Sequence, residues 1–600
     1  MTAQATTKRS IAAWVVLIES AALLLVTGAW ALPASVGARV PNWTAGASVV
    51  ILIIELVTLM TIPGIRAVSV QTFRQCIRTR IGLAFIGVLA VSLAVLPLIM
   101  RGDGTLSGQI KTLLSYGTGI IAGLLALVTI FLGANIVAND IRSKHIFMTV
   151  TKPLPKWQYL LGRWMGLVML NAVLLGLSAT GLYGVSQYFR SRPAEINSED
   201  RRVVETEVFK ARGRVKPDPF GIDEQVQRRL SQLRQEGRLA EALEAWGMRS
   251  GGNAELAQKL LAEEVHKQVV ESVSSVGPGG VLRWTFSNVE TAGQSIEGKG
   301  TVTEIDRTNH VVWVRADKML LRRVLLSSPV RVDGANGRVV AINDEEMAIQ
   351  VYAGLYSLNL PNLMGRTVTL FADPTIQVTY KARATGEIPD DMLNGRWAVE
   401  NPQTRAVHLE ERGDVLNRPA TLTVSAQVVS DEGKVVVQFQ NVSPGSVRIS
   451  PDEISVLYPA GSFEWNYVRA ILLMLLMLVF LAALSVCAGS FVSFPVACMI
   501  CFTLLPYAMA RSFLTDAVKI PASGEVDGLT LIGHYILQFM TVLLPDFSQS
   551  LPGDTLVDGL KISWLFVGQT AAVTIAMRTL IVMAIGCLVL RKRELARVQV

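Results

Sequence analysis

Apolar residues crowd into two blocks of the chain, 11–184 and 466–590, while the stretch between them has the mixed pattern of a soluble protein. A helix needs about 20 apolar residues to cross a bilayer core about 30 Å thick. Runs of that size predict eight spans, at 11–32, 46–63, 82–100, 116–138, 164–184, 466–488, 490–510 and 566–590. A ninth run, 528–545, is interrupted by Gly533 and His534 and reads as an interfacial or partly inserted helix. The expected fold is an α-helical polytopic membrane protein of about eight transmembrane helices with a large α+β insert.

Between the second and third spans, "VSVQTFRQCIRTRIG" (68–82) repeats Val70, Phe73, Ile77 and Ile81 at helical spacing, with Arg74 and Arg78 one turn apart on another face. That predicts an amphipathic helix on the membrane surface. The insert opens with two polar helical patterns, 222–249 and 253–273, broken at "SGG". Short runs rich in Val, Thr and aromatics then predict β-barrel or β-sandwich units, with one small β unit over 294–372 and a β-sandwich over 376–457. Four parts are expected: an N-terminal transmembrane pair (1–66), a first half-core (67–184), the insert (185–465) and a second half-core with a basic tail (466–600). Within the insert, 220–275 is expected to be helical and 282–460 β-rich.

Composition agrees with a membrane chain. Half the residues are hydrophobic and 17% charged, against about 25% charged in soluble proteins. Charge placement sets the orientation, because short cytoplasmic loops carry excess Lys and Arg. Lys8 and Arg9 precede the first span, Arg66, Arg74, Arg78 and Arg80 follow the second, and Arg142, Lys144, Lys152, Lys156 and Arg163 follow the fourth. Arg591, Lys592, Arg593 and Arg597 follow the last, whereas loops 33–45 and 101–115 hold only Arg39, Arg101 and Lys111. Both termini are expected in the cytoplasm and 185–465 outside it, in a multi-pass cell (inner) membrane protein. The net charge of +8 reflects these clusters, so nucleic acid is not an expected partner. The first span loosely resembles a cleaved signal, with "AWA" at 29–31, but it is long and contains Glu19.

Candidate chemistry is sparse. All five cysteines lie in or beside apolar segments, and the insert has none, so no disulfides are expected there. "GQSIEGKG" (293–300) matches the start of a phosphate-binding loop, but Gly300 stands where Ser or Thr would hold magnesium, and a strand pattern follows. It reads as a turn. The histidines show no metal-ligand spacing and no nucleophile motif is present, so neither an enzyme nor a bound cofactor or metal is expected.

Charges inside spans stand out, because each costs roughly 2.5–3.5 kcal/mol even on the lenient insertion scale. Glu19 and Glu55 lie at similar depth and Arg578 slightly deeper, so a shared site is one expectation. The alternative is structural: protonated glutamates bonding between helices and an arginine snorkelling outward.

"NDIRSKHIFMTVTKPLPKWQYLLGRWMGLVML" (139–170) closely resembles the loop between the second and third helices of ABC-2-type transporter permeases. Its matching residues are Asp140, Ile141, Lys144, Ile146, Thr151, Lys152, Pro153, Leu161, Gly162 and Arg163. "TFRQCIRTRIG" (72–82) resembles the family's connecting helix, 480–502 its fourth-to-fifth-helix hairpin, and "LVLRKREL" (588–595) its basic tail. The likeness covers about 68–184 and 466–597, and departs from the pattern in two added N-terminal spans and a large insert.

The resemblance implies the permease subunit of an ATP-driven exporter. ATP and magnesium would sit on a separate cytoplasmic ATPase dimer, and a second permease copy or paralogue would complete the assembly. The loop 139–163 would be the coupling element, with Asp140, Arg142, Lys144, Thr151, Lys152, Pro153, Pro155, Lys156 and Trp157 as its contacts, and Phe73, Arg74, Ile77 and Arg78 on the connecting helix. Prolines restrict the backbone there, as a fixed docking surface requires. The insert would meet substrate or an envelope protein. Two other classes remain open: an anchored envelope binding protein without transport, and an ion-coupled transporter using Glu19 and Glu55, for which no inverted repeat is visible.

Overall fold

The computed structural model describes residues 57–99, 105–143, 154–191, 203–218, 222–235, 254–290, 296–306, 311–316, 329–332, 335–343, 348–353, 367–372, 375–385, 391–511, 544–548 and 551–592, with a few single positions between them. The expected span 11–32 and most of 46–63 and of 528–545 lie outside these residues.

Helix α1 (Pro63–Arg78) carries Pro63 in its first turn, where a missing N–H leaves no helical bond unmade. A bend of 66° separates it from α2 (Arg80–Ile99). Next come α3 (Leu106–Arg142) and α4 (Lys156–Ser191), of 37 and 36 residues. At about 1.5 Å per residue each is about 55 Å long and outruns a bilayer core. The apolar runs that predicted them are only their middles. Thr105 caps α3 by accepting the Gly108 N–H at 3.0 Å.

The insert follows as β1 (Lys210–Val215), α5 (Ile222–Gln235), α6 (Ala254–Ser274), β2 (Ser275–Val276) and β3 (Val281–Phe286). Six barrel strands come next: β4 (Ile296–Asp306), β5 (Val311–Ala316), β6 (Pro329–Val332), β7 (Ala335–Asn343), β8 (Ala348–Ala353) and β9 (Thr367–Ala372). Then come β10 (Thr375–Lys381), β11 (Arg383–Ala384), β12 (Met392–Glu400), β13 (Val407–Val415), β14 (Pro419–Ser425), β15 (Val435–Asn441), β16 (Val447–Arg448) and β17 (Ile454–Ser462). The chain re-enters the helical part as α7 (Phe463–Phe491), α8 (Phe494–Met509), a one-turn α9 (Gly553–Val557) and α10 (Trp564–Arg591), which is π-wound over Ala572–Thr579.

Among the described residues, α3, α4, α7 and α10 are long and apolar enough to cross a membrane, and the bent pair α1–α2 passes the same test together. The expected span 490–510 is corrected. It forms the 16-residue α8, about 24 Å long, because Val492 and Ser493 are extended and Pro495 starts a new helix. Most of the apolar window of α7 is buried inside the protein and much less of α10's, so α7 is the helix that others surround.

The insert is nested. Its sandwich packs a sheet ordered β1-β17-β10-β14 against one ordered β13-β12-β15-β3, while β4-β5-β8-β7-β6-β9 closes into a barrel. Two expectations change here. The sandwich extends beyond 376–457 to recruit β1 and β3, and the helical pair and the barrel are insertions into it. "GQSIEGKG" is no turn: Ile296–Gly300 lie on β4, paired antiparallel with β9. Register places Trp397 opposite Phe439 and Val437 opposite Trp284. These rings and Tyr380 form the buried centre, with Tyr380 and Trp397 centroids 4.1 Å apart.

Candidate functional site

Loop 143–155 joins the ends of two long helices. Helix α3 closes on Ser143, whose N–H and hydroxyl both donate to the Asn139 carbonyl, at 2.8 and 2.6 Å. Helix α4 opens after Pro155, whose carbonyl accepts the Gln158 N–H at 3.0 Å. Lys144, Thr151, Lys152 and Pro153 lie outside the described residues.

Behind the loop, three helices meet at one buried ion pair. Asp140, in the last turn of α3, and Arg163, in the second turn of α4, are each 5% exposed and form a salt bridge. Tyr159 donates its hydroxyl to the same Asp140 oxygen at 2.6 Å. Arg163 also donates to Thr72 Oγ1 at 3.1 Å and Gln75 Oε1 at 2.8 Å, both on α1. Burying two charges is expensive, and such a pair persists only where further hydrogen bonds satisfy it. Here Tyr159, Thr72 and Gln75 supply most of them, leaving the buried Arg163 Nε–H without a partner among the described residues.

Sequence spacing explains the approach of α1. Gly162 and Gly166 stand one turn apart on α4, the small-xxx-small pattern that lets helix backbones close up. A Cβ on Gly162 would sit 2.6 Å from Val68 Cβ, and one on Gly166 would sit 2.5 Å from the Ser69 carbonyl oxygen. Helix α1 accordingly buries Ile65, Val68, Ser69, Thr72 and Cys76. The expected stripe lies on another face: Val70 and Ile77 are exposed, Phe73 is half-buried, and Arg74 and Arg78 are exposed. Nothing is described of the Ile81 side chain.

The loop residues thus divide. Arg142, Pro155 and Trp157 are exposed. Asp140 is not a surface contact, because its charge is spent on Arg163. Lys156 is half-buried and donates to the Leu590 carbonyl at 3.0 Å, capping the last turn of α10. Sequence reasoning missed Thr72, Gln75 and Gly166. The Gly162-to-Gly166 spacing was the available signal.

Arg578 is half-buried in the π-wound part of α10, where Arg511 and Asp546 act on it electrostatically. Glu19 and Glu55 lie outside the described residues, so the expected triad has no described geometry.

At the other end of the bundle the sandwich is joined to the helices without a linker, Ser462 ending β17 and Phe463 beginning α7. Arg212 of β1 forms the second attachment. Its N–H donates to the Gly559 carbonyl at 2.7 Å, and its carbonyl accepts the Lys561 N–H at 2.8 Å. Its guanidinium donates to the Asp558 carbonyl at 2.6 Å and to Gln377. Burial pushes the Arg212 pKa below the usual arginine value, against the charges of Glu207 and Asp558. Gly559 has φ 59°, and a Cβ there would lie 1.9 Å from the Glu207 carbonyl oxygen. Asn466 on α7 completes the joint, accepting the Ile562 N–H and donating to the Leu560 carbonyl, both at 2.8 Å.

Among the described residues, no group of three or more His, Cys, Asp or Glu could hold a metal ion. No family model, curated protein or solved structure matches the chain.

Proposed function

We propose that the chain is the membrane-spanning permease subunit of an ATP-driven export system of the ABC-2 kind. Its loop 139–163 transmits force from a separate cytoplasmic ATPase dimer that holds the ATP and magnesium, and a second permease copy or paralogue completes the assembly. In this reading both termini are cytoplasmic and 185–465 lies outside the cell membrane. The observation that carries the proposal is the Asp140–Tyr159–Arg163 cluster. A loop pushed by a partner moves helices only if both its ends are fixed to them, and this cluster ties the two ends to each other and to α1. Exposed Arg142 and Trp157 supply contacts of the kind enriched at interfaces.

A second output is favoured by the direct run of β17 into α7 and by the Arg212 joint. Movement of α7 would tilt the outer sandwich, so the complex would relay motion to an envelope partner without carrying a solute.

Mild purification of the tagged chain from its native membranes, with mass spectrometry, tests the proposal. A P-loop ATPase co-purifies with wild type and is lost from an Arg142→Glu/Trp157→Ala variant. Its absence under several mild conditions would favour an anchored envelope protein.

A further inference from the structure

No Asp or Glu occurs between Glu55 and Asp103, yet Arg66, Arg74, Arg78 and Arg80 all fall within or beside α1 and are exposed. The back of α1 is closed by α4. Its front carries Arg74 and Arg78 beside Val70 and Ile77, which are 36% and 37% exposed, and no described element covers it. Orientation follows from the neighbouring helix. Helix α2 exposes large apolar residues along its length, Leu83, Val91 and Ile99 among them, as a lipid-facing helix does. A 66° bend therefore lays α1 near the membrane plane if α2 crosses it. Apolar side chains would then enter the headgroup boundary with uncompensated guanidiniums beside them. Guanidiniums match phosphate oxygens in geometry as well as charge.

We propose that the front of α1 binds anionic phospholipid headgroups, and that lipid charge thereby sets the position of the coupling loop. The route is short: the back of α1 accepts hydrogen bonds from Arg163 through Thr72 and Gln75, and Arg163 holds Asp140. Only this consequence rests on the permease reading; the lipid site rests on α1 alone.

The test uses the full-length chain in nanodiscs of equal phosphatidylglycerol and phosphatidylcholine, with retained lipids read by native mass spectrometry. Wild type retains phosphatidylglycerol preferentially, and added salt weakens the preference. Arg74→Gln/Arg78→Gln reduces it about fivefold per arginine, about 25-fold together, whereas Arg396→Gln on the outer sandwich leaves it unchanged. Because both arginines are exposed, the double variant melts as wild type does. A photo-crosslinker at position 77 in native membranes captures lipid. Undiminished preference in the double variant, or capture of a polypeptide at position 77, overturns the proposal. Loss of an ATPase partner with lipid preference intact would count against the coupling reading alone.

Discussion

Arg163 and Asp140 pair across the base of a loop whose ends they fix, and neither is offered to solvent. The family likeness had placed Asp140 among docking contacts. Its burial gives it a different task, holding α3 and α4 at a set separation. Removing one member strands a charge: Asp140→Ala is expected to cost about 3–5 kcal/mol. Tyr159→Phe, which removes a hydrogen bond to a charged group, costs about 1.5–3 kcal/mol. Replacing the pair together, Asp140→Leu with Arg163→Met, recovers most of the loss. Equilibrium unfolding in detergent reads all three, and equal losses for the single and paired changes would contradict a coupled pair.

The close approach of α1 to α4 makes a steric prediction. Gly162→Ala and Gly166→Ala force Cβ atoms into Val68 and the Ser69 carbonyl, each costing about 1–3 kcal/mol by overpacking. Gly176→Ala, on the same helix with open space at its Cβ, is neutral or slightly stabilising. The same unfolding measurement separates them, and equal effects at all three positions would remove the packing argument.

Arg212 predicts what happens to the outer domain when its second attachment is weakened. Arg212→Ala leaves the Asp558 carbonyl and the Gln377 amide without this donor, at about 1–3 kcal/mol for each group stranded in a buried site. The β17–α7 connection and the two main-chain hydrogen bonds from Arg212 to Gly559 and Lys561 survive, so the domain stays attached but moves over a wider range. Spin labels at Arg396→Cys and Met499→Cys, both at exposed positions, give a narrow distance distribution in the parent and a broad one in the Arg212 variant. An unchanged distribution would mean that the main-chain hydrogen bonds and the β17–α7 junction hold the domain without the guanidinium.

Tyr380 makes the outer domain sensitive to alkali. Burial and the hydrogen bond to Asp414 hold its hydroxyl above the usual tyrosine range. A raised folded-state pKa contributes stability below the ordinary tyrosine value of about 10, lost as pH rises through the folded value. Stability should therefore fall above about pH 10. Tyr380→Phe is less stable at neutral pH but loses less between neutral and alkaline pH. Parallel pH profiles for the two proteins would contradict this.

Much of the architecture was legible. Long apolar runs announced α3, α4, α7 and α10, since little else accommodates twenty apolar residues. The short apolar run behind α8 looked the same until Pro495 and the extended Val492–Ser493 divided it. Strand β1, "KARGRV", was invisible for a different reason: three of its six residues are cations, and Arg212 is buried on hydrogen bonds from its two terminal guanidinium nitrogens rather than by hydrophobicity. For α1 the pattern predicted the helix and its outward stripe but not the face that packs. The stripe of Val70, Phe73 and Ile77 lies away from α4, and the helix packs through Ile65, Val68, Ser69, Thr72 and Cys76 because glycines on α4 admit close contact. Periodicity reports where water is avoided; it does not report which face meets protein and which meets lipid.

The most direct test of the account is contact at the loop itself. A photo-crosslinking residue at position 157 in native membranes, where Trp157 is exposed at the start of α4, should capture a cytoplasmic P-loop ATPase, and the same residue at position 396 of the outer sandwich should not. Capture of no ATPase at position 157, while the chain remains folded and abundant, would contradict the claim that this loop couples ATP hydrolysis to the helices.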